Sequence, residues 1–210
     1  MGQVITIAQQ KGGAGKTMLA ANLAVCLAAG GAKVALLDID PQKSLSKWGE
    51  LRAARAKPAL PLAISDSAGW RLAAALEKAK KEFDFVLIDS APQVDTEARQ
   101  AVRAADLVLV PMQPSPPDLW AAEGTLALAA SEKRPIRLVL NRAPVSGRLR
   151  SMIEAQIVER HLTILPTALG NRAGYALAFA VGLGVIEAAP RSIGSAEMWA
   201  VLADIRAVLA

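Results

Sequence analysis

Lys11-Gly-Gly-Ala-Gly-Lys16-Thr17 follows an apolar, strand-like run, Val4-Ile-Thr-Ile-Ala8, and opens a helical one, Met18 to Ala29. Strand, glycine-rich loop and helix start, in that order, are what a nucleotide phosphate loop requires. Glycines let the backbone approach an anion, N–H groups at the helix start point at it, and Lys16 neutralises its charge. Thr17 supplies a hydroxyl for Mg²⁺. The ordinary pattern G-x-x-x-x-G-K-[ST] wants glycine at position 10, where this chain has Gln10. In compensation, a second lysine, Lys11, stands inside the loop.

Strand-like and helix-like runs alternate on both sides of this loop. Strands are expected at Gln3–Ala8, Lys33–Asp38, Phe85–Asp89, Leu107–Val110 and Ile136–Leu140, with weaker candidates at Leu62–Ile64 and Thr163–Leu165. Helices are expected at Lys16–Ala29, Leu45–Ala54, Gly69–Lys81, Thr96–Ala104, Leu119–Ser131, Arg148–Arg160, Arg172–Ala180 and from about Ala196 to Leu209. Val86-Leu-Ile and Leu107-Val-Leu-Val are continuously apolar, as strands covered by helices on both faces are. The alternation argues for a doubly wound α/β fold with a mostly parallel sheet and ligands at the carboxyl ends of its strands. Pro111-Met-Gln-Pro-Ser-Pro-Pro117 reads as a rigid loop on that ligand side.

Two further strand ends carry acids. Leu36-Leu-Asp38-Ile-Asp40-Pro41-Gln42 places two carboxylates in alternation where a strand runs out, and Phe85-Val-Leu-Ile-Asp89 closes an apolar strand with an aspartate. Such an acid is the usual outer-shell partner of phosphate-bound Mg²⁺. Each alone reads equally well as a cap or turn residue. Their value lies in occurring with the loop.

The 210 residues suit one domain with a sizeable core. The Ala/Leu-rich stretch Met18–Ala29 is broken by Asn22 and too short to span a membrane. No basic segment precedes an apolar one at the N-terminus, as a signal peptide requires. The single cysteine, Cys26, excludes an internal disulfide, fits a reducing cytoplasm and reads as a core residue. A net charge of +5 and a pI of about 9.6 are compatible with affinity for nucleic acid.

The chain resembles the ParA/MinD family of deviant Walker-type ATPases over essentially its whole length. Lys11-Gly-Gly-Ala-Gly-Lys-Thr17, Asp38-Ile-Asp-Pro-Gln42 and Phe85-Val-Leu-Ile-Asp-Ser-Ala-Pro92 carry the resemblance. Pro114-Ser-Pro, Asn141-Arg142 and the segment from Pro166 through Arg172 to Gly182 add to it. Length, Ser44-Leu-Ser-Lys-Trp48 and the Pro-Ser-Pro-x-Asp loop look most like small ParA proteins of the ParF type. These lack the N-terminal DNA-reading domain of larger relatives. With the first strand at residue 3, a single nucleotide-binding domain over residues 1–210 is expected.

The resemblance implies a homodimer sandwiching ATP and Mg²⁺. In it, Lys11, Gly12, Gly13, Ala14, Gly15, Lys16, Thr17 and Met18 form the nucleotide-binding loop, and Lys11 reaches the phosphates of the other subunit. Thr17 binds Mg²⁺ directly, Asp89 acts through a water with Asp38 nearby, and Asp40 orients the attacking water. Asn141 and Arg142 contact the adenine, and Pro114 to Asp118 shape the dimer face. Met18 replaces a second small hydroxyl common in relatives, and Pro117 extends the proline loop.

The ParA branch implies nonspecific DNA binding in the ATP state, through basic residues such as Arg134, Arg137, Arg142, Arg148, Arg150, Arg160, Arg172 and Arg191. It also implies a ParB-like or other adaptor that stimulates weak intrinsic hydrolysis, and a cytoplasmic, nucleoid-associated protein that positions a cargo. The MinD branch carries a basic membrane-lying C-terminal helix. Glu197 to Ala210 has one basic residue, Arg206, against Glu197 and Asp204, which fits that poorly and suits packing against the sheet. A MinD-like positioning ATPase acting without DNA, a metabolic ATP-dependent ligase and a degenerate nucleotide-binding scaffold are the alternatives. Lys11 argues against the ligase. Intact Lys16, Thr17, Asp40 and Asp89 argue against the scaffold.

Overall fold

Strands and helices alternate in a computed structural model that describes residues 1–210 except 68, 70 and 94. The order is β1 (Gln3–Ile7), α1 (Lys16–Ala29), β2 (Val34–Asp38), α2 (Ser44–Ala53), β3 (Ala63–Asp66), α3 (Arg71–Glu82), β4 (Phe85–Asp89) and α4 (Thr96–Ala104). It continues β5 (Leu107–Met112), α5 (Pro116–Ser131), β6 (Ile136–Leu140), α6 (Arg148–Glu159), α7 (Ala173–Phe179), α8 (Val185–Ala188) and α9 (Ile193–Leu209). The six strands form one sheet in the order β3-β2-β4-β1-β5-β6, and every pair is parallel.

Alternate strand residues feed opposite cores, as the twofold period of a strand dictates. Ile5, Ile7, Leu36, Leu87 and Leu109 face α1, α2, α7, α8 and α9. Val4, Leu37, Val86, Ile88, Val108 and Val110 face α3, α4, α5 and α6. Helix α1 is buried almost all round, which explains an apolar pattern without a clear stripe. Its Asn22 is satisfied inside the core: the side-chain amide donates to the Met18 carbonyl, and its oxygen accepts the first N–H of α8, from Val185. Cys26 is buried in the same helix, and burial pushes its thiol up to about 12, so it is inert packing.

The structure alters several sequence expectations. Thr163–Leu165 makes only an isolated bridge, Leu138 to Ile164, and no strand. Strand β5 runs on through Pro111 and Met112. Its β1 partner has already ended at Ile7, so no ladder bond is asked of the N–H that Pro111 lacks. Pro116 and Pro117 are not loop. They form the first turn of α5 behind the N-cap Ser115, where a missing N–H costs nothing. Short helix α8 has no sequence signal of its own. Helix α3 is described from Arg71, and Trp70 lies outside the described residues. The apolar stripe of α9 does bury, through Met198, Val201, Leu202 and Ile205, in the core that also holds Leu107, Leu109 and Val139 of the sheet and residues of α1 and α8.

One buried ion pair ties α2 to the α7–α8 corner. Arg52 donates to both oxygens of Glu187 at 2.8 and 2.7 Å, and to the carbonyls of Gly182 and Leu60. It also lies over the Trp48 ring, which stacks on Phe179. Glu187 further accepts the N–H groups of Leu60 and Gly184. Burial raises its carboxyl, but these donors outweigh burial and hold it below the usual range. Removing one charge strands the other in the core, at a cost of about 3–5 kcal/mol. Glu187→Gln is therefore expected to lower unfolding free energy by about 3 kcal/mol at neutral pH, read from urea midpoints at unchanged slope.

Candidate active site

Parallel pairing aims all six strands at one edge of the sheet. Across β1 and β4, Ile7 lies beside Asp89; across β2 and β4, Asp38 lies beside Asp89. Neighbouring strands are about 4.8 Å apart, so both acids stand next to the point where the chain leaves β1 for its phosphate loop. The loop turns on left-handed glycines, Gly13 at φ 75° and Gly15 at φ 94°. Gly15 is doubly constrained, because a Cβ there would come within 2.2 Å of the Asn141 side-chain nitrogen.

Gly12, Gly13, Gly15, Lys16 and Thr17 line a cavity of about 340 Å³ together with Met18, Asp40, Gln42, Ser44, Pro92, Arg142 and Phe179. A second cavity, about 630 Å³, is walled by Asn141, Arg172, Tyr175 and Ala176 and shares Met18, Arg142 and Phe179 with the first. The two are neighbours, one lined by loop glycines and charge, the other largely apolar. Asn141 is nearly fully buried. Its amide donates to the Ala14 carbonyl at 2.8 Å, and its oxygen accepts the Arg142 N–H. It therefore braces the phosphate loop as well as facing the second cavity. Arg142 has a left-handed backbone, φ 50°, unusual for a non-glycine residue.

Charge in the site is deeply buried. Lys16 is 7% exposed; burial pulls its ammonium pKa down, while Asp89 and Asp40 pull it up. Asp89 is fully buried, and neither carboxylate oxygen has a hydrogen-bond partner. Burial pushes its carboxyl up to about 7; the Thr17 hydroxyl and the Lys16 ammonium oppose this, and Asp38 and Asp40 add to it. An orphaned buried carboxylate is costly on its own and fits a position opposite a hydrated cation. Among the described residues no group of three His, Cys, Asp or Glu side chains is placed to hold a metal. Mg²⁺ bound with a nucleotide needs no such group, because one or two protein oxygens and the phosphates share the ion.

The two acids of the D-x-D segment have separate tasks. Asp38, expected beside the metal, has both oxygens engaged elsewhere. One accepts the Asp40 N–H, and the other accepts the N–H and hydroxyl of Ser46 in the first turn of α2. It anchors the segment that carries Asp40. Asp40 accepts the Gln42 N–H with one oxygen and lines the phosphate cavity. The eight-residue spacing from Asp38 to Ser46 was the available signal for this brace. Phe179 and Tyr175 reach the site from α7 with no comparable sequence mark.

Lys11 does not line the cavity of its own chain. Its ammonium is paired with the carboxylate of Asp118, on the first turn of α5. Of the arginines expected to meet DNA, Arg150, Arg160 and Arg172 pair with Glu154, Glu123 and Glu197, and Arg137 bonds to Ile136 and Thr163. Arg134 has a buried Nε without a partner. Arg142, Arg148 and Arg191 make no ion pair among the described residues.

The raised Asp89 carboxyl gives a signed pH effect. Without metal, the folded protein keeps a proton that the unfolded chain releases near pH 3.8, so stability falls as pH rises towards about 7. Asp89→Asn removes this titration. In chelator, its melting temperature is expected to fall less than that of the wild type between about pH 5 and 8. Parallel melting curves in scanning calorimetry would place the ionisation elsewhere.

The family description "CobQ/CobB/MinD/ParA nucleotide binding domain" matches residues 5–168. The maintenance of carboxysome distribution protein A of Halothiobacillus neapolitanus is 29% identical over 199 residues, covering 92% of this chain and 91% of that protein. An ATP complex of a Cyanothece McdA variant superposes with a TM-score of 0.79 at 20% identity, over 99% of this chain and 96% of that one. The septum site-determining protein MinD of Pyrococcus horikoshii OT3, complexed with Mg-ADP, superposes with a TM-score of 0.78 at 19% identity, over 100% and 99% of the two chains. At such identities the superpositions speak for the fold, a fold that holds ATP in one of these proteins and Mg-ADP in the other. The match of loop, strand ends and sequence over most of the chain means that it belongs to the CobQ/CobB/MinD/ParA family of nucleotide-binding domains.

Proposed function

We propose that this chain is a single-domain, ATP-hydrolysing switch that dimerises around ATP, binds DNA nonspecifically in that state and positions a cargo. One observation carries the reading. The loop's own lysine, Lys16, faces the phosphate cavity, whereas Lys11 stands outside it on the protein surface. A cation held at the mouth of one site, and unused there, suits delivery into a second subunit. Trp120, on the same helix as Asp118 and 58% accessible, offers an aromatic anchor for a partner surface.

In this reading the loop N–H groups and Lys16 hold the phosphates, and the partly apolar cavity beside Asn141 takes the base. Thr17 and Asp89 would hold Mg²⁺, the latter through a water. Held by these residues, the ion would supply positive charge to offset that of the phosphates. Asp40, kept in place by Asp38 and Gln42, accepts a hydrogen bond from the attacking water and aims it. Phosphoryl transfer needs mainly such positioning and charge stabilisation. Lys11 of the second subunit adds positive charge where it develops. No arginine is marked as a finger, so a slow intrinsic rate raised by an adaptor follows.

The name of the Halothiobacillus relative supports a distribution role, with a protein assembly as one class of cargo and a DNA molecule as the other. Net charge of +5 and Arg148 and Arg191, which make no ion pair among the described residues, support a DNA partner. Among the described residues no helix is long and apolar enough to cross a membrane. On α9 the stripe of Met198, Val201, Leu202 and Ile205 is buried in the core, which keeps it from lying on a membrane.

Binding to unrelated duplexes should require ATP, vanish with ADP and weaken steeply with added salt. Lys11→Ala should abolish it while Lys16 still retains nucleotide. Nucleotide-independent binding, or none, sinks the DNA switch. Asp40→Ala should keep ATP-dependent dimers and lower turnover by about 100-fold or more. Normal hydrolysis by that variant moves the water-positioning role to another residue.

A further inference from the structure

Both departures of the phosphate loop from the ordinary pattern are held by one helix. Lys11 pairs with Asp118 on α5. One residue earlier, the side chain of Gln10 lies across Gly124 of the same helix, where a Cβ would stand 1.9 Å from the Gln10 side-chain nitrogen. Glycine is disfavoured inside a helix, and at Gly124 the missing side chain is what admits Gln10.

The Lys11–Asp118 pair is lopsided. The Asp118 side chain is 1% exposed, that of Lys11 39%. One Asp118 oxygen accepts the Ser115 hydroxyl at 2.6 Å as well as Lys11, and the other accepts the Gln113 N–H at 3.1 Å. Burial pushes this carboxyl up, and the three donors together more than reverse that. A buried ion pair normally cannot open, because the remaining charge is left bare. Here Asp118 keeps two donors and sits in the first turn of a helix, where negative charge is favoured, so its mobile and exposed partner can leave.

We propose that Asp118 is a positioning residue that holds Lys11 on α5 in the free protomer, so that dimerisation requires the other subunit's nucleotide to take the lysine from it. Asp118 and the incoming phosphates are competing anions for one cation. Gln10, seated on Gly124, keeps the lysine's backbone within reach of Asp118. This rests on the dimer reading given above.

The test is the ATP concentration at which half the protein is dimeric, measured by sedimentation in the Asp40→Ala background so that ATP persists. Asp118→Asn keeps groups able to bond Gln113 and Ser115 but loses the charge. Its half-point should fall roughly tenfold, as expected for loss of a charge-assisted hydrogen bond, with ADP affinity unchanged. Ser115→Ala removes one of the other donors and so makes Asp118 depend more on Lys11. Its half-point should rise by about threefold. Shifts of opposite sign cannot come from a general loosening of α5. If both variants move the same way, or a folded Asp118→Asn does not shift, the holding role is overturned. If Asp118→Asn does not fold, Ser115→Ala alone decides by the sign of its shift. If the Asp40→Ala background never dimerises with ATP, the dimer reading itself fails, and this proposal with it.

Discussion

Parallel registration of β1, β4 and β2 is the constraint from which the site follows. It sets Ile7, Asp89 and Asp38 side by side at one edge of the sheet, with the phosphate loop leaving from the same row. A slip of one residue in either pair would turn the acids to the other face of the sheet and bury a different set of side chains. Apolar residues that alternate between two cores, such as Leu87 and Ile88 on β4, hold that register. The core therefore places the site, and the site adds little to the core.

Buried charge is treated in two ways. At the α2–α8 corner, Arg52 and Glu187 satisfy each other and four neighbouring backbone groups, so their charges serve structure. At the strand ends, Asp89 has no hydrogen-bond partner, and Lys16 faces a cavity. The second arrangement is unstable by itself and suits a ligand that brings both a cation and phosphates. The contrast separates an ion pair that fastens helices from charges kept ready for chemistry.

Much of this was legible along the chain. The order of strands and helices, and the positions of the loop, Asp40 and Asp89 at the carboxyl edge of the sheet, follow from periodicity and from chemistry within a few residues. Errors fell where distant partners decide. Thr163–Leu165 has strand composition and lies along the open outer edge of β6, but it gains one bridge there, Leu138 to Ile164, and no ladder. The prolines before α5 looked like loop because their tolerance in a first helical turn depends on Ser115 acting as cap. What braces Asp38 was not legible either, since Ser46 meets its carboxylate only once the start of α2 folds back.

The sequence by itself determined that this is a doubly wound α/β nucleotide-binding domain with an altered phosphate loop, since strand, glycines, lysine and helix start are contiguous and act through the local backbone. It marked Gln10 and Lys11 as the alteration. Only the tertiary structure decided what those residues touch: Gly124 and Asp118, more than a hundred positions away on α5. The physical reason is that a side chain's ionic and steric partners are set by which helix the sheet order lays beside the loop, and no pattern within the loop encodes that neighbour.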